Sequence, residues 1–203
     1  MNMWRKIRRS CARVLIRVSR WDHVSTERVA PGESRILIGA PHTSNWDFIM
    51  MLGIAWDLDF PVRWLGKDSL FRGVMGPVMR AIGGIPVDRR RPFGLVEDLV
   101  EQAKVTGDGF TLVVTPEGTR GAGKYWKSGF YRIAMATGIP VTLGYVDRTT
   151  RTFGLGMTFT PTGDVRADMD TIRAFYQDKA GYHPQNRTEP RLREEDKGTS
   201  TAN

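Results

Sequence analysis

The amino-acid sequence predicts an α/β domain with a central, mixed but mostly parallel sheet, covered by helices and preceded by an N-terminal amphipathic helix. Two observations support this fold class. Short apolar runs alternate with segments of helical periodicity from residue 35 to residue 180, and this alternation is typical of sheets whose strands are joined by helices. The length of 203 residues suffices for one well-packed core and is short for two.

The apolar spacing places each element. Strands are predicted at 35–40, 62–66, 84–88, 110–115, 140–146 and 152–159. Helices are predicted at 45–56, 70–82, 92–105, 127–137 and 168–180. Two glycines and a proline break the second of these helices. We divide the chain into a surface helix (1–22), an α/β domain (23–186) and a polar tail (187–203) that we expect to be disordered.

Residues 3–21 form the predicted N-terminal helix, in which an apolar stripe lies among cations. The apolar residues recur at intervals of three and four: Trp4, Ile7, Cys11, Val14, Leu15, Val18 and Trp21. The cations are Arg5, Lys6, Arg8, Arg9, Arg13, Arg17 and Arg20. Two interpretations stay open. The helix lies in the surface of an anionic membrane, or it packs on the domain and leaves a basic face in solvent.

Composition excludes several classes of protein. A hydrophobic content of 40% argues against a disordered chain, and the single Cys11 excludes a disulfide within the chain, which fits a reducing, intracellular setting. No apolar run approaches the length of a membrane-spanning helix, and the N-terminus lacks the apolar core of a signal peptide. A net charge of +8 favours an anionic partner, which charge alone does not identify.

The segment 41–47, Pro-His-Thr-Ser-Asn-Trp-Asp, joins the first predicted strand of the domain to a helix. Ser44 followed three residues later by Asp47 is typical of a helix start. The chain can then fold back so that Asp47 approaches the ring of His42, which makes the pair a candidate catalytic base and its orienting carboxylate. The alternative is that both are ordinary polar loop and cap residues.

Three cations follow other predicted strands. Arg120 ends the segment Thr115-Pro-Glu-Gly-Thr-Arg, in which Gly118 allows close backbone approach, while Lys67 and Arg89 follow the strands at 62–66 and 84–88. If these strands are parallel, the three cations converge on the sheet edge that carries His42, where open α/β sheets bind ligands. The alternative is solvated surface charge.

Four segments together resemble a known family. His42-Thr-Ser-Asn-Trp-Asp47 is similar to the first conserved block of the glycerolipid acyltransferases related to lysophosphatidic acid acyltransferase. Gly84-Ile-Pro-Val-Asp-Arg89, Pro116-Glu-Gly-Thr-Arg120 and Thr137-Gly-Ile-Pro-Val141 are similar to the second, third and fourth blocks. All four occur in the family's order, within residues 35–146.

The resemblance implies that an acyl chain moves from a thioester, either acyl-CoA or acyl carrier protein, to an alcohol such as a lysophospholipid. His42 would deprotonate the acceptor hydroxyl while Asp47 holds its ring, without an acyl-enzyme. Arg120, and less directly Lys67 and Arg89, would contact the acceptor phosphate, and the acceptor pocket would be shaped by Glu117, Gly118 and Thr119. No metal or bound cofactor is expected. We also expect the protein to be peripheral and to dock through residues 3–21 on the cytoplasmic face of an anionic membrane.

The chain departs from the family pattern in ways that leave the acceptor open. Thr115 stands where the third block often has an aromatic residue, and a basic helix replaces the usual hydrophobic N-terminal segment. A non-glycerolipid alcohol is therefore an alternative acceptor. A non-catalytic, basic membrane adaptor is the alternative outside enzymes.

Other classes fit less well. Gly118-Thr-Arg-Gly-Ala-Gly-Lys124 has the spacing of a phosphate-binding loop, but Tyr125 replaces the hydroxyl residue that binds magnesium. The sequence contains no Gly-x-Ser-x-Gly, too few histidines and cysteines for a metal cluster, and no recognised motif for nucleic acid, which we do not expect as a partner.

Overall fold

The structure is a computed structural model that describes residues 3–30, 32–87, 101 and 111–199. Within these residues the strands are β1 (Asp22–His23), β2 (Arg35–Ala40), β3 (Val62–Lys67), β4 (Gly84–Val87), β5 (Thr111–Val114), β6 (Val141–Asp147) and β7 (Thr152–Phe159). The α-helices described by bounds are α1 (Met3–Ser19), α2 (Asn45–Asp57), α3 (Met75–Ala81), α4 (Gly129–Thr137) and α5 (Val165–Tyr176). Short 3₁₀ helices occupy Asp68–Phe71, Pro184–Asn186 and Arg193–Thr199.

The described strands form one sheet in the order β1-β7-β6-β2-β5-β3-β4. Neighbouring strands are parallel except β6 and β7, which pair antiparallel. Ile38 of β2 lies opposite Val114 of β5, and Trp64 of β3 lies opposite Val113. The carboxyl ends of β2, β5 and β3 therefore meet at one edge, and the predicted fold class is confirmed.

The core surrounds β2, whose residues 36–38 are buried because both faces of the sheet are covered. Ile36 and Ile38 pack in one apolar cluster with residues of α4 and α5. Leu37 points to the other face and packs in a second cluster with residues of α2. A central strand with both faces covered explains why its sequence is a continuous apolar run.

Most predicted elements are confirmed, with shifts at the ends that local chemistry explains. The last helix begins at Val165 because the Asp164 side chain accepts the backbone N–H groups of Arg166 and Ala167, both at 3.1 Å. The second helix is broken as predicted, since a 3₁₀ turn ends before Gly73, whose φ is 60°. The helix predicted at 92–105 lies outside the described residues except for residue 101.

α1 ends at Ser19, two residues before the predicted end, and His23 lies in β1 with its Nδ1 3.1 Å from Oδ2 of Asp57. The expectation about the tail is wrong. Residues 187–199, expected to be part of a disordered tail, belong to the domain: Thr188 and Leu192 are buried, and Leu192 joins the core. Polar composition concealed this packing because several of its contacts use backbone groups, such as the carbonyls of Thr188 and Arg191 that accept the two N–H groups of Trp126.

α1 lies on α2 through one side and exposes another. Ala12 is buried, Leu15 is half-buried beside Gly53, and Arg13 pairs with Asp57 of α2 at 3.2 Å. The residues of the predicted apolar stripe that stay exposed are Trp4, Ile7, Cys11, Val14 and Val18. In the described part of the chain, no helix has the length and apolar character needed to cross a bilayer.

Candidate active site

The loop after β2 is fixed by the start of α2. Ser44 is the N-cap: its Oγ accepts the backbone N–H of Trp46 at 3.2 Å, and the Asp47 side chain reaches back over the first turn. Oδ2 of Asp47 accepts the backbone N–H groups of Thr43 and Ser44, both at 2.6 Å. The capping box that the sequence predicts is present, and it fixes the Asp47 carboxylate at the N-terminus of α2.

The structure brings His42 and Asp47 together. Nδ1 of His42 lies 3.8 Å from Oδ2 of Asp47, about 1 Å longer than a charge-assisted hydrogen bond. The His42 side chain is 19% exposed and that of Asp47 is 6% exposed. Within the described residues, the buried Oδ1 of Asp47 has no hydrogen-bond partner. The Asp47 carboxylate therefore keeps an acceptor oxygen that is not yet used, and the His42 side chain is partly exposed to solvent.

Burial sets the protonation of this pair. Burial, together with the smaller effect of the positive charge of Arg120, lowers the pKa of His42 to about 4. Burial also raises the pKa of Asp47 to about 6, against the opposing effect of the backbone N–H groups of Ser44 and Thr43. At neutral pH the imidazole is therefore neutral and the carboxylate is ionised. A neutral imidazole can accept a proton, and the carboxylate can stabilise the imidazolium that forms.

The loop after β5 carries a second buried carboxylate. Oε1 of Glu117 accepts the backbone N–H of His42 at 2.8 Å, and Oε2 accepts the backbone N–H of Thr188 at 3.4 Å. Burial raises the pKa of Glu117 to about 7, while the two backbone donors oppose that rise. Its side chain therefore joins the His42 loop to the C-terminal segment from inside the protein.

Arg120 supplies positive charge next to His42. Its Nη1 donates to Oδ1 of Asn45, the first residue of α2, and Arg120 is exposed. Gly118 has a φ of 69°, which lets the loop turn so that Arg120 approaches α2. Thr119 is exposed in the same turn. A guanidinium beside a helix N-terminus favours an anionic group.

The other two predicted cations differ in their placement. Lys67 is exposed at the carboxyl end of β3, on the sheet edge that carries His42. β5 separates β3 from β2, so Lys67 lies about 10 Å along the edge from the end of β2. Lys67 is therefore on the predicted edge of the sheet, but it is two strands away from the strand that leads into the His42 loop. Arg89 lies outside the described residues.

Sequence reasoning missed the C-terminal contribution to the site. The backbone N–H of His183 donates to Oγ1 of Thr43 at 2.9 Å, and the charge of His183 lowers the pKa of Asp47. The sequence gives no signal for this because the contact joins residues 140 positions apart through a backbone group. In the described ranges no cluster of three or more His, Cys, Asp or Glu side chains could hold a metal ion.

Comparison with known proteins identifies the family. A family model described as "Acyltransferase" matches residues 20–142, which is more than half of the chain. The chain belongs to the Acyltransferase family. Its resemblance to the acyltransferases related to lysophosphatidic acid acyltransferase is confirmed, and the protein is an O-acyltransferase.

The fold is that of a solved acyltransferase. It is similar to the crystal structure of the 1-acyl-sn-glycerophosphate (LPA) acyltransferase PlsC from Thermotoga maritima, with a TM-score of 0.59 and 18% sequence identity. The similarity covers 83% of this chain and 76% of that one. No curated protein matches this acyltransferase significantly. At this identity, the similarity to PlsC concerns the fold.

Proposed function

We propose that this acyltransferase moves a fatty acyl chain from acyl-CoA or acyl carrier protein to the hydroxyl of a lysophospholipid or related glycerolipid. The observation that carries the proposal is the neutral, partly accessible imidazole of His42 beside the buried carboxylate of Asp47, with the Arg120 guanidinium at the same helix end. A base, its orienting carboxylate and an anion-binding group are the parts that acyl transfer to a phosphate-bearing alcohol requires.

The reaction begins with the acceptor hydroxyl. Nδ1 of His42 is the ring nitrogen nearer to Asp47, so Nε2 is the nitrogen that takes the proton. The hydroxyl oxygen attacks the thioester carbonyl carbon, forming a tetrahedral intermediate. When the intermediate collapses, the carbon–sulfur bond breaks, and the departing thiolate takes the proton from the imidazolium. The products are an ester and a free thiol.

The acceptor phosphate couples binding to proton transfer. Burial is the main cause of the lowered pKa of His42, and Arg120 adds to it because its positive charge disfavours the imidazolium. A phosphate bound at Arg120 would offset that charge, so His42 becomes a stronger base when the acceptor is in place. Lys67, farther along the same edge, would add positive charge for a bound phosphate. Phosphate recognition therefore activates the base as well as holding the substrate.

We also propose that α1 docks on an anionic membrane surface, on its cytoplasmic face. Trp4, Ile7, Val14 and Val18 are exposed on a helix rich in arginine, as expected of a helix that lies in the headgroup region. A second exposed apolar cluster lies nearby, on the 3₁₀ turn and α3: Leu70, Val74, Met75 and Val78. Arg8 of α1 donates to the carbonyl of Ala81 at the end of α3 at 2.7 Å, so the two apolar surfaces are on neighbouring elements.

The exposed stripe of α1 also favours a second function beside catalysis, that of an adaptor at a membrane surface. Lipid binding through α1 does not need His42, and the two functions therefore separate experimentally. A non-glycerolipid alcohol remains the alternative acceptor, because an exposed guanidinium such as that of Arg120 can bind other anionic alcohols.

An acyl-transfer screen tests the proposal. The purified chain is incubated with one labelled acyl thioester, as acyl-CoA and as acyl carrier protein, and with lysophospholipids and small alcohols presented with anionic liposomes. We expect equal amounts of ester and free thiol with a phosphate-bearing lysolipid, and loss of both products in His42→Ala. Liposome binding without transfer to any acceptor would instead favour the adaptor.

A further inference from the structure

Residues 181–188 form a segment that we call the clasp, which crosses the two loops of the active site. The clasp lies after residue 142, where the match to the family model ends. It follows α5 and contains the short 3₁₀ helix Pro184–Asn186. At one end it touches the His42 loop, and at the other it touches the Glu117 loop.

The first contact of the clasp is with Thr43. The backbone N–H of His183 donates to Oγ1 of Thr43 at 2.9 Å, and Thr43 is almost fully buried. The backbone N–H of the same threonine donates to Oδ2 of Asp47 at 2.6 Å. Thr43 therefore joins the clasp to the carboxylate that orients His42.

Gly181 allows this close approach. A Cβ atom at position 181 would lie 2.8 Å from Oγ1 of Thr43 and 2.9 Å from Cβ of Pro41. Both distances are shorter than ordinary contacts between a methyl group and its neighbours, so any larger residue would push the clasp and the His42 loop apart.

The second contact of the clasp is with Glu117. The backbone N–H of Thr188 donates to Oε2 of this carboxylate, whose Oε1 accepts the backbone N–H of His42. Thr188 is itself held firmly, because its Oγ1 accepts the N–H of Gly123 at 2.8 Å and its carbonyl accepts Nε1–H of Trp126 at 3.1 Å. Glu117 therefore bridges an anchored part of the clasp and the backbone of the base.

We propose that Thr43 and Glu117 are positioning residues through which the clasp holds His42 and Asp47 in the geometry for proton transfer. This inference depends on the proposed function for its effect on turnover. The imidazole and the Asp47 carboxylate are 3.8 Å apart, which is too long for a hydrogen bond, so the backbone at residues 42 and 43 has to set the position of the ring relative to Asp47. Displacements of about 1 Å in such a pair reduce rates by roughly 10²-fold.

Four variants test the proposal. Thr43→Val removes the hydroxyl that the clasp contacts, Thr43→Ser restores it, and Gly181→Ala pushes the clasp away. Thr142→Val is the matched control, because Thr142 is also buried and its Oγ1 is hydrogen-bonded to Oγ1 of Thr158 at 2.9 Å. Thr142 lies in β6, which neighbours β2 on the side opposite β5 and therefore opposite the Glu117 loop. For each variant we would measure kcat and KM for both substrates, the melting temperature, and the titration of the His42 imidazole by NMR.

We expect Thr43→Val and Gly181→Ala to lower kcat about 10- to 100-fold with little change in KM, and to shift the NMR titration of His42 toward its ordinary range. Thr43→Ser should retain the parental kcat and the parental NMR titration of His42. Thr142→Val should lower the melting temperature without changing kcat or the NMR titration of His42. The proposal is overturned if Thr43→Val behaves like Thr142→Val in both measurements. If the parent transfers no acyl group but the titration shifts as described, the proposed function fails and the clasp stands.

Discussion

Nδ1 of His42 lies 3.8 Å from Oδ2 of Asp47, and that oxygen already accepts two backbone N–H groups at 2.6 Å. The carboxylate is therefore fixed to the first turn of α2, and the imidazole is the partner that can turn toward it. The second oxygen of Asp47 is buried without a partner in the described part of the chain. Among the described residues, His42 is the partner with which Asp47 forms an ion pair.

Asp47→Asn tests whether that charge assists proton transfer. The amide oxygen can still accept the two backbone N–H groups, so α2 keeps its cap, but the imidazolium loses its counter-charge. We expect kcat to fall by roughly 10²-fold or more, with the far-UV circular dichroism unchanged. Asp57→Asn, at the other end of α2, is the control and should keep its turnover. Retention of more than half of kcat in Asp47→Asn would contradict the orienting role.

The same variant in a His42→Ala background sharpens the test. Residues that act as one unit are not additive, so the second substitution should have little further effect on a rate that has lost its base. An additional 10²-fold loss in the double variant would show that Asp47 acts independently of His42. Single-turnover measurements are suited to this comparison because they report the chemical step.

The pH dependence follows from two opposite pKa shifts. His42, whose pKa is lowered to about 4, must be neutral to take a proton, and Asp47, whose pKa is raised to about 6, must be ionised to assist it. As the pH falls, kcat/KM should therefore decline first near pH 6 and more steeply toward pH 4. Inorganic phosphate or glycerol phosphate should raise the NMR-measured pKa of His42 in the parent but not in Arg120→Ala. No change on adding either anion would contradict the coupling through Arg120.

Glu117 predicts a pH-dependent stability. Its pKa is raised from 4.5 to about 7, so the folded state binds the proton more tightly than the unfolded state. The stability that this group contributes is fully present below pH 4.5 and is lost as the pH rises to about 7, by up to about 3 kcal/mol. Denaturant unfolding from pH 4.5 to pH 8 should show a smaller decrease in Glu117→Gln than in the parent. An equal decrease of the unfolding free energy with pH in the two proteins would show that burial does not raise the pKa of Glu117.

Much of the fold was predictable because apolar spacing reports which residues a sheet buries. β2 is covered on both faces, and its continuous apolar run located it within the bounds observed. The Ser44–Asp47 pair predicted the start of α2 because a capping box is a local interaction. β1 was not predicted, because a strand of two residues is too short to show an alternation of apolar and polar side chains. Its pairing with β7 is visible only in three dimensions.

The site was less predictable where its contacts use the backbone. The sequence identified His42, Asp47 and Arg120, which the fold brings together, whereas the family resemblance implied that Glu117 helps to shape the acceptor pocket. The structure instead places that side chain in the interior, between two backbone donors. The clasp could not be anticipated, since Gly181, His183 and Thr188 act through backbone groups or close packing that no side-chain pattern reveals.

The sheet geometry predicts different effects for two cations of one strand. Lys67 is at the carboxyl end of β3, on the site edge, whereas Arg63 is also exposed but pairs in register with Leu112 near the opposite end. Lys67→Ala should raise KM for a phosphate-bearing acceptor several-fold, and Arg63→Ala should leave it unchanged. Arg120→Ala should raise this KM more than either of these variants, because Arg120 contacts Asn45 at the start of α2. Equal KM values in the Lys67 and Arg63 variants would argue against a role for this edge in phosphate recognition.

Membrane docking is best tested by point substitutions in α1. Deleting the helix would also remove its ion pairs with Asp57 and Asp59 and uncover α2, whereas Val14 and Val18 are exposed and can be changed without disturbing that packing. The double variant Val14→Asp/Val18→Asp should bind anionic liposomes at least tenfold more weakly in sedimentation assays, because two charges replace apolar groups in the headgroup layer. Met135→Asp, an exposed residue of α4, is the control and should bind like the parent. Parental binding should weaken with added salt; binding that is insensitive both to salt and to the two aspartates would place α1 off the membrane.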